Sequence, residues 1–125
     1  MPIPIPPPGS NFITLAQFLA MKELYAANAQ QILQPQYQNK EILITSETFN
    51  GDVITAITQV TGFAGFRIYY GMSPDMKVHA MLLATDINGN DLLPSDPNLK
   101  FIPNSQAKGG TGVLGEDGQR CPPGC

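Results

Sequence analysis

Gly65-Phe66-Arg67-Ile68-Tyr69-Tyr70-Gly71-Met72-Ser73-Pro74-Asp75-Met76-Lys77-Val78-His79-Ala80-Met81-Leu82-Leu83-Ala84-Thr85 is the stretch whose reading decides the fold. Phe66 to Tyr70 alternates as a strand and is rich in the aromatic and β-branched types that suit a pleated surface. Gly71 to Asp75 carries turn chemistry, and Lys77 to Thr85 forms a second extended run. Together they predict a β-hairpin. Along the second run Val78, Ala80, Leu82 and Ala84 share one side, and His79, Met81, Leu83 and Thr85 share the other. Both sides are largely apolar, which places this strand centrally with each face at least partly covered. Asp86 to Asp91 then turns through Asn88-Gly89, a strong hairpin dipeptide, into Leu92 and Leu93.

Upstream of the hairpin the apolar period changes to that of a helix. Asp52 to Val60 predicts a short helix with Asn50 as its N-cap and Asp52 at the positive end of its dipole. Val53, Ile54, Ile57 and Val60 supply its buried side. Glu41-Ile42-Leu43-Ile44-Thr45 reads as a short strand before it. Thr14-Leu15-Ala16-Gln17 fits a capping box, in which the hydroxyl and the Gln side chain each satisfy a backbone N–H of the other. Behind it Leu15, Phe18, Leu19, Tyr25, Ala26, Ala29, Ile32 and Leu33 fall on one face, predicting an amphipathic helix of about five turns that ends at Gln34-Pro35. Lys22 can snorkel from that stripe, while Leu24 projects from the opposite face among Gln17, Asn28 and Gln31.

The flanks differ in composition. Five prolines in residues 1–10 exclude a helix or a central strand and favour extended polyproline II geometry. Beyond Leu93, prolines at 94, 97 and 103, the Gly-Gly-Thr-Gly run at 109–112 and the closing Cys121-Pro122-Pro123-Gly124-Cys125 mark an extended tail. The expected organisation is therefore an arm at 1–11, an α+β core at 12–93 and a tail at 94–125. The fold class is a small single α+β domain: a long N-terminal helix, a second short helix and an antiparallel hairpin or sheet.

Composition narrows the function. Charged residues are 14% of the chain, against about 25% in an ordinary soluble domain. The formal charge of -3 argues against nucleic acid as a partner, because that affinity comes mainly from clustered Lys and Arg. No apolar stretch approaches the roughly 20 residues of a membrane span, and the N-terminus lacks the pattern of a secretory signal. A cytoplasmic location follows as the expectation, with release or non-classical export left open.

The segments Gly65-Phe66-Arg67-Ile68-Tyr69-Tyr70-Gly71, Met81-Leu82-Leu83-Ala84-Thr85-Asp86 and Asn88-Gly89-Asn90-Asp91-Leu92, with the terminal Cys-Pro-Pro-Gly-Cys, resemble a family of small uncharacterised proteins common in Bacteroidota. That family combines a G-x-R-I-Y-x-G strand, a D-x-x-G-x-D-L turn and a C-terminal C-P-P-x-C. Phe63 stands where a Cys is frequent, and Ala84-Thr85 replace Gly-Val before the aspartate. The resemblance implies an architecture and a bacterial source, and it brings no activity with it.

Chemistry-bearing residues are few. His79 is the single histidine, which excludes a multi-histidine metal site, and nothing in the sequence sets a nucleophile and an orienting acid beside it. Asp86-x-Asn88-x-Asn90 imitates the start of a calcium loop, but Asp91 and Pro97 stand where Gly and Glu belong, so Asx-turn chemistry accounts for it better. Asp86 and Asp91 could also form a carboxylate pair, although an open turn gives no reason for a raised pKa. Arg67 beside Tyr69 reads as an ion-pair or stacking residue. Cys121 and Cys125 are open to a local disulfide, inter-chain bridges, a two-thiolate share of a metal site, or reduced thiols. No catalytic, cofactor or metal residue is assigned.

A compact core with two long arms and low charge is expected to be a self-assembling, non-enzymatic subunit: a filament, tube or ring whose partners are copies of itself. Ile3, Ile5, Leu24, Phe101 and Ile102 are the expected contacts. The rival is a monomeric adaptor whose Pro-rich arm or Cys-containing tail recognises another protein or a metal. An enzyme would need a deep pocket joining Arg67, His79 and an acid. Deleting residues 2–8 should leave the core folded and lower the oligomer order measured by light scattering; an unchanged mass would remove the arm from the contacts.

Overall fold

In the computed structural model, which describes residues 3–98, 100 and 112–125, the order of elements is α1 (Leu15–Asn28), a 3-10 turn (Pro35–Tyr37), β1 (Ser46–Thr48), α2 (Gly51–Thr58), β2 (Gly65–Met72), β3 (Val78–Thr85) and β4 (Gln119–Cys121). The fold is α+β, with antiparallel pairs β2–β3 and β1–β4. The expected hairpin forms, with Gly65 opposite Thr85 through Met72 opposite Val78. Beyond it Asp86 to Asn90 closes the second turn, and Leu92 N–H donates to the Ala84 carbonyl.

The core forms where α2 crosses one end of this hairpin. Ala56 and Ile57 of α2 meet Leu82 and Ala84 of β3, with Phe49, Val53, Val60, Phe63 and Leu92 packed around them. α2 forms as its local chemistry dictates: Asn50 Oδ1 accepts from the Asp52 N–H, capping the first turn. Its apolar side then has a sheet face to cover, and that burial holds a helix too short to stand alone.

β3 is enclosed as expected, though not by strands alone. In a strand the even-numbered amides point to one edge and the odd-numbered to the other. The odd edge of β3 bonds β2. On the even edge, Val78 N–H donates to the Ile42 carbonyl, and Leu82 and Gly115 exchange both backbone bonds. Ala80 N–H donates to the Glu47 carboxylate at 2.8 Å.

Three expectations change. α1 stops at Asn28, well before Gln34, because the Asn28 amide donates back to the Leu24 carbonyl and competes with the backbone ladder. The strand expected at Glu41–Thr45 lies instead at Ser46–Thr48, since Asn39 and Glu41 take positive φ and the pairing partner is the distant segment Gln119–Cys121. The core does not end at Leu93. Val113 is buried in it, and Arg120 Nη2 lies within 3.2 Å of the carbonyls of Glu41, Ile42 and Val78. The closing segment thus belongs to the fold.

Ile57 is completely buried at the centre of the cluster. Ile57→Ala is expected to cost about 2–5 kcal/mol of stability, read by urea denaturation.

Candidate functional site

The sheet face that carries the core is covered at only one end. Past Leu82, the same side of the hairpin continues through Ile68, Tyr70 and Ala80 and lies open, with Leu43 and Phe49 on the far wall. The result is an apolar groove of about 630 Å³. Phe66 and Ile68 remain nearly half exposed and Tyr70 is 77% exposed. Among the described residues no strand pairs with the other edge of β2.

α1 stands beside this groove with no buried residue. Its capping box is present as expected, with Thr14 and Gln17 bonding each other's backbone at 2.8 and 3.1 Å. The expected buried stripe is not buried: Leu15 is 71% exposed, Phe18 and Leu19 about half. Met21 and Leu24 on the remaining side are 68% and 67% exposed, so the helix is apolar on most of its circumference. Only its C-terminal end is seated: Ala29 is buried, and the Gln30 side chain bonds the Leu43 carbonyl and the Asn39 N–H. Even there a gap of about 330 Å³ separates Tyr25 and Ala29 from Thr45 and Pro122.

The other expected contacts divide. Leu24 is exposed on the helix as expected. Ile5 rests on its own chain, donating its N–H to the Ile87 carbonyl at 3.3 Å, with its side chain beside Gly65. The Ile3 backbone passes so close to Gly89 that a Cβ there would sit 1.9 Å from the Ile3 oxygen, while the Ile3 side chain stays exposed. Phe101 and Ile102 lie outside the described residues. Cys121 and Cys125 are bonded to each other, with Cα atoms 4.9 Å apart.

The polar side chains of the hairpin fall into two groups. Arg67 pairs with Asp91 and also donates to the Gly89 carbonyl at 3.1 Å, and the Tyr69 hydroxyl donates to the second Asp91 oxygen. The Asp91 carboxylate holds the Tyr69 hydroxyl above its ordinary range. Asp86 is taken up by its own turn, accepting from the N–H groups of Asn88 and Asn90 and from the Asn90 amide. These bonds hold its carboxyl below the ordinary range. The Asx-turn reading of this loop therefore describes it, and Asp86 and Asp91 do not act as a carboxylate pair.

His79 sits in the second group, apart from Arg67. Its Nδ1 lies 3.3 Å from Glu116 Oε1, and its Nε2 lies 3.0 Å from Ser73 Oγ. The Ser73 hydroxyl faces the Asp75 carboxylate and holds it below its ordinary range. Glu47 completes the group: Oε1 takes the Ala80 N–H, while Oε2 is buried without a hydrogen-bond partner among the described residues. Neither Glu47 nor Glu116 carries a local signal: Glu47 stands among Thr45, Ser46, Thr48 and Asn50 in a polar break, and the place of Glu116 depends on Gly115 pairing with Leu82. Arg67 and His79 thus have separate acids and do not converge on one pocket.

No helix among the described residues is long and apolar enough to cross a membrane. No family model, curated protein or solved structure matches the chain.

The depressed Asp86 carboxyl sets a sign for pH dependence. A group held below its unfolded value adds stability above that value and loses it as pH falls through the folded one. Acidification from about pH 5 to about pH 2 should therefore lower the thermal midpoint of the native chain more than that of Asp86→Asn. Parallel curves would detach the turn from acid stability.

Proposed function

We propose that this chain is a non-enzymatic structural subunit that self-assembles, the α1 helix of one copy entering the apolar groove of the next. The observation that carries this reading is α1 itself. An isolated helix of fewer than about 12–15 residues is marginal in water, and one that is apolar on most sides belongs in an interior. α1 has 14 residues, and none of them is buried among the described residues.

Magnitudes favour the groove as its destination. Covering Leu15, Phe18, Leu19, Met21 and Leu24 would contribute at most about 1.5–3 kcal/mol each. Association costs roughly 4–15 kcal/mol. The helix alone is therefore barely sufficient, and a second apolar surface covered in the same event tips the balance. Both halves of such an interface exist on one molecule. A helix-to-groove contact is heterologous, so it propagates into a filament or tube unless its rotation closes a ring. The low charge of the chain reduces repulsion between copies.

Two further features support this reading. The arm is docked on its own turn at Ile5, which ties down the segment a Pro-rich ligand would have to present. The Cys121–Cys125 disulfide occupies both thiols, which removes the metal ligands that a Cys-containing adaptor tail would have to present.

The test uses two variants of the full chain, Leu15→Lys with Leu19→Lys on the helix and Ile68→Lys in the groove. Each alone should sediment as a monomer with unchanged circular dichroism, while the native chain grows with concentration. Mixed together they should form a 1:1 dimer that grows no further, one intact helix meeting one intact groove. A native chain that stays monomeric at every concentration overturns the proposal.

A further inference from the structure

The proton positions around His79 follow from its neighbours. Ser73 has one hydroxyl hydrogen, and it goes to the Asp75 carboxylate, a charged acceptor that cannot donate in return. Toward His79 the Ser73 oxygen can therefore only accept, so Nε2 carries the proton. In the neutral ring Nδ1 is then a bare lone pair. It faces Glu116 Oε1 at 3.3 Å, and two acceptors at that distance repel.

Glu47 sharpens the conflict. Its Oε2 is buried and has no hydrogen-bond partner among the described residues, a costly state for a carboxylate oxygen. The space it occupies is kept open by Gly118, where a Cβ would approach Oε2 to 2.9 Å. Donor atoms of Glu47, His79 and Glu116 lie within 4.8 Å of one another. A proton on Nδ1 would satisfy Glu116 and still leave Glu47 Oε2 unsatisfied. One cation among the three satisfies all of them.

We infer that Glu47, His79 and Glu116 form a binding site for a divalent transition-metal cation of the zinc class. The donor set selects the class: imidazole suits Zn²⁺ and its neighbours, whereas Ca²⁺ and Mg²⁺ prefer all-oxygen shells. Bonds of about 2.0–2.1 Å at a tetrahedral angle put two donors about 3.3 Å apart. That is the His79–Glu116 spacing already present, while the set as a whole spreads to 4.8 Å, so the ion draws its third ligand inward on binding. The Ser73–Asp75 relay supplies the outer support such ligands use, fixing the tautomer and ring orientation that leave Nδ1 available. Glu47 and His79 are also among the residues at the rim of the apolar groove. This inference stands independently of self-assembly.

Zn²⁺ alone is the probe. Calorimetric titration of the full chain should give one site per chain, weakened roughly tenfold or more by His79→Gln and by Glu116→Gln. Because His79 is the only histidine, its imidazole ¹⁵N resonances report directly: Nδ1 should shift on Zn²⁺ addition while Nε2–H persists. Glu47→Gln guards against a folding artefact, since its amide oxygen can still take the Ala80 N–H and its NH₂ can point at Glu116. That variant should keep its thermal midpoint and lose Zn²⁺ affinity. Unmoved His79 resonances at saturating Zn²⁺, affinity unchanged in all three variants, or tighter binding of Ca²⁺ than Zn²⁺ would each overturn the assignment.

Discussion

The even-numbered edge of β3 governs this structure. A strand apolar on both faces cannot be left with open N–H and C=O groups on one side, because buried backbone polar groups without partners are among the most expensive features a fold can carry. No third strand is present among the described residues to close that edge. Pieces of the chain from far apart in sequence close it instead: Ile42 at Val78, the Glu47 carboxylate at Ala80, Gly115 at Leu82 and Leu92 at Ala84. Arg120 then ties this patchwork together across the carbonyls of Glu41, Ile42 and Val78.

Much of the remaining architecture follows. Bringing Gly115 to the edge draws Val113 into the core and sets β4 beside β1. Closing Ala80 with a side chain commits one Glu47 oxygen and leaves the other buried, without a partner among the described residues, near His79 and Glu116, which is the origin of the proposed cation site. With these segments consumed on β3, no described segment covers α1, the open end of the sheet face or the free edge of β2. An apolar helix and an apolar groove are left over, and assembly is the outlet proposed for both.

The hairpin and α2 were legible because their chemistry is local: alternation over Phe66–Tyr70, turn residues at Ser73–Asp75, and an Asn N-cap ahead of an apolar run. The capping box of α1 was legible for the same reason. The stripe behind it described a real periodicity but not burial, since periodicity states which residues could share a face and not what that face will meet. The role of the segment beyond Leu93 is hidden in the sequence because Val113, Gly115 and Arg120 have no local pattern; each is fixed by partners distant in sequence, on β3 or farther upstream. The cation ligands were hidden likewise, Glu47 and Glu116 being joined only through Ala80 and the Gly115–Leu82 bridge.

Amide hydrogen exchange along β3 is the most direct test of this account. If the edge is closed, Val78, Ala80 and Leu82 should exchange as slowly as His79, Met81 and Leu83, whose amides face β2. Ala80 is the decisive probe, since a carboxylate rather than a strand protects it. Fast exchange at the three even-numbered amides beside slow exchange at the odd ones would show an open edge and contradict the account.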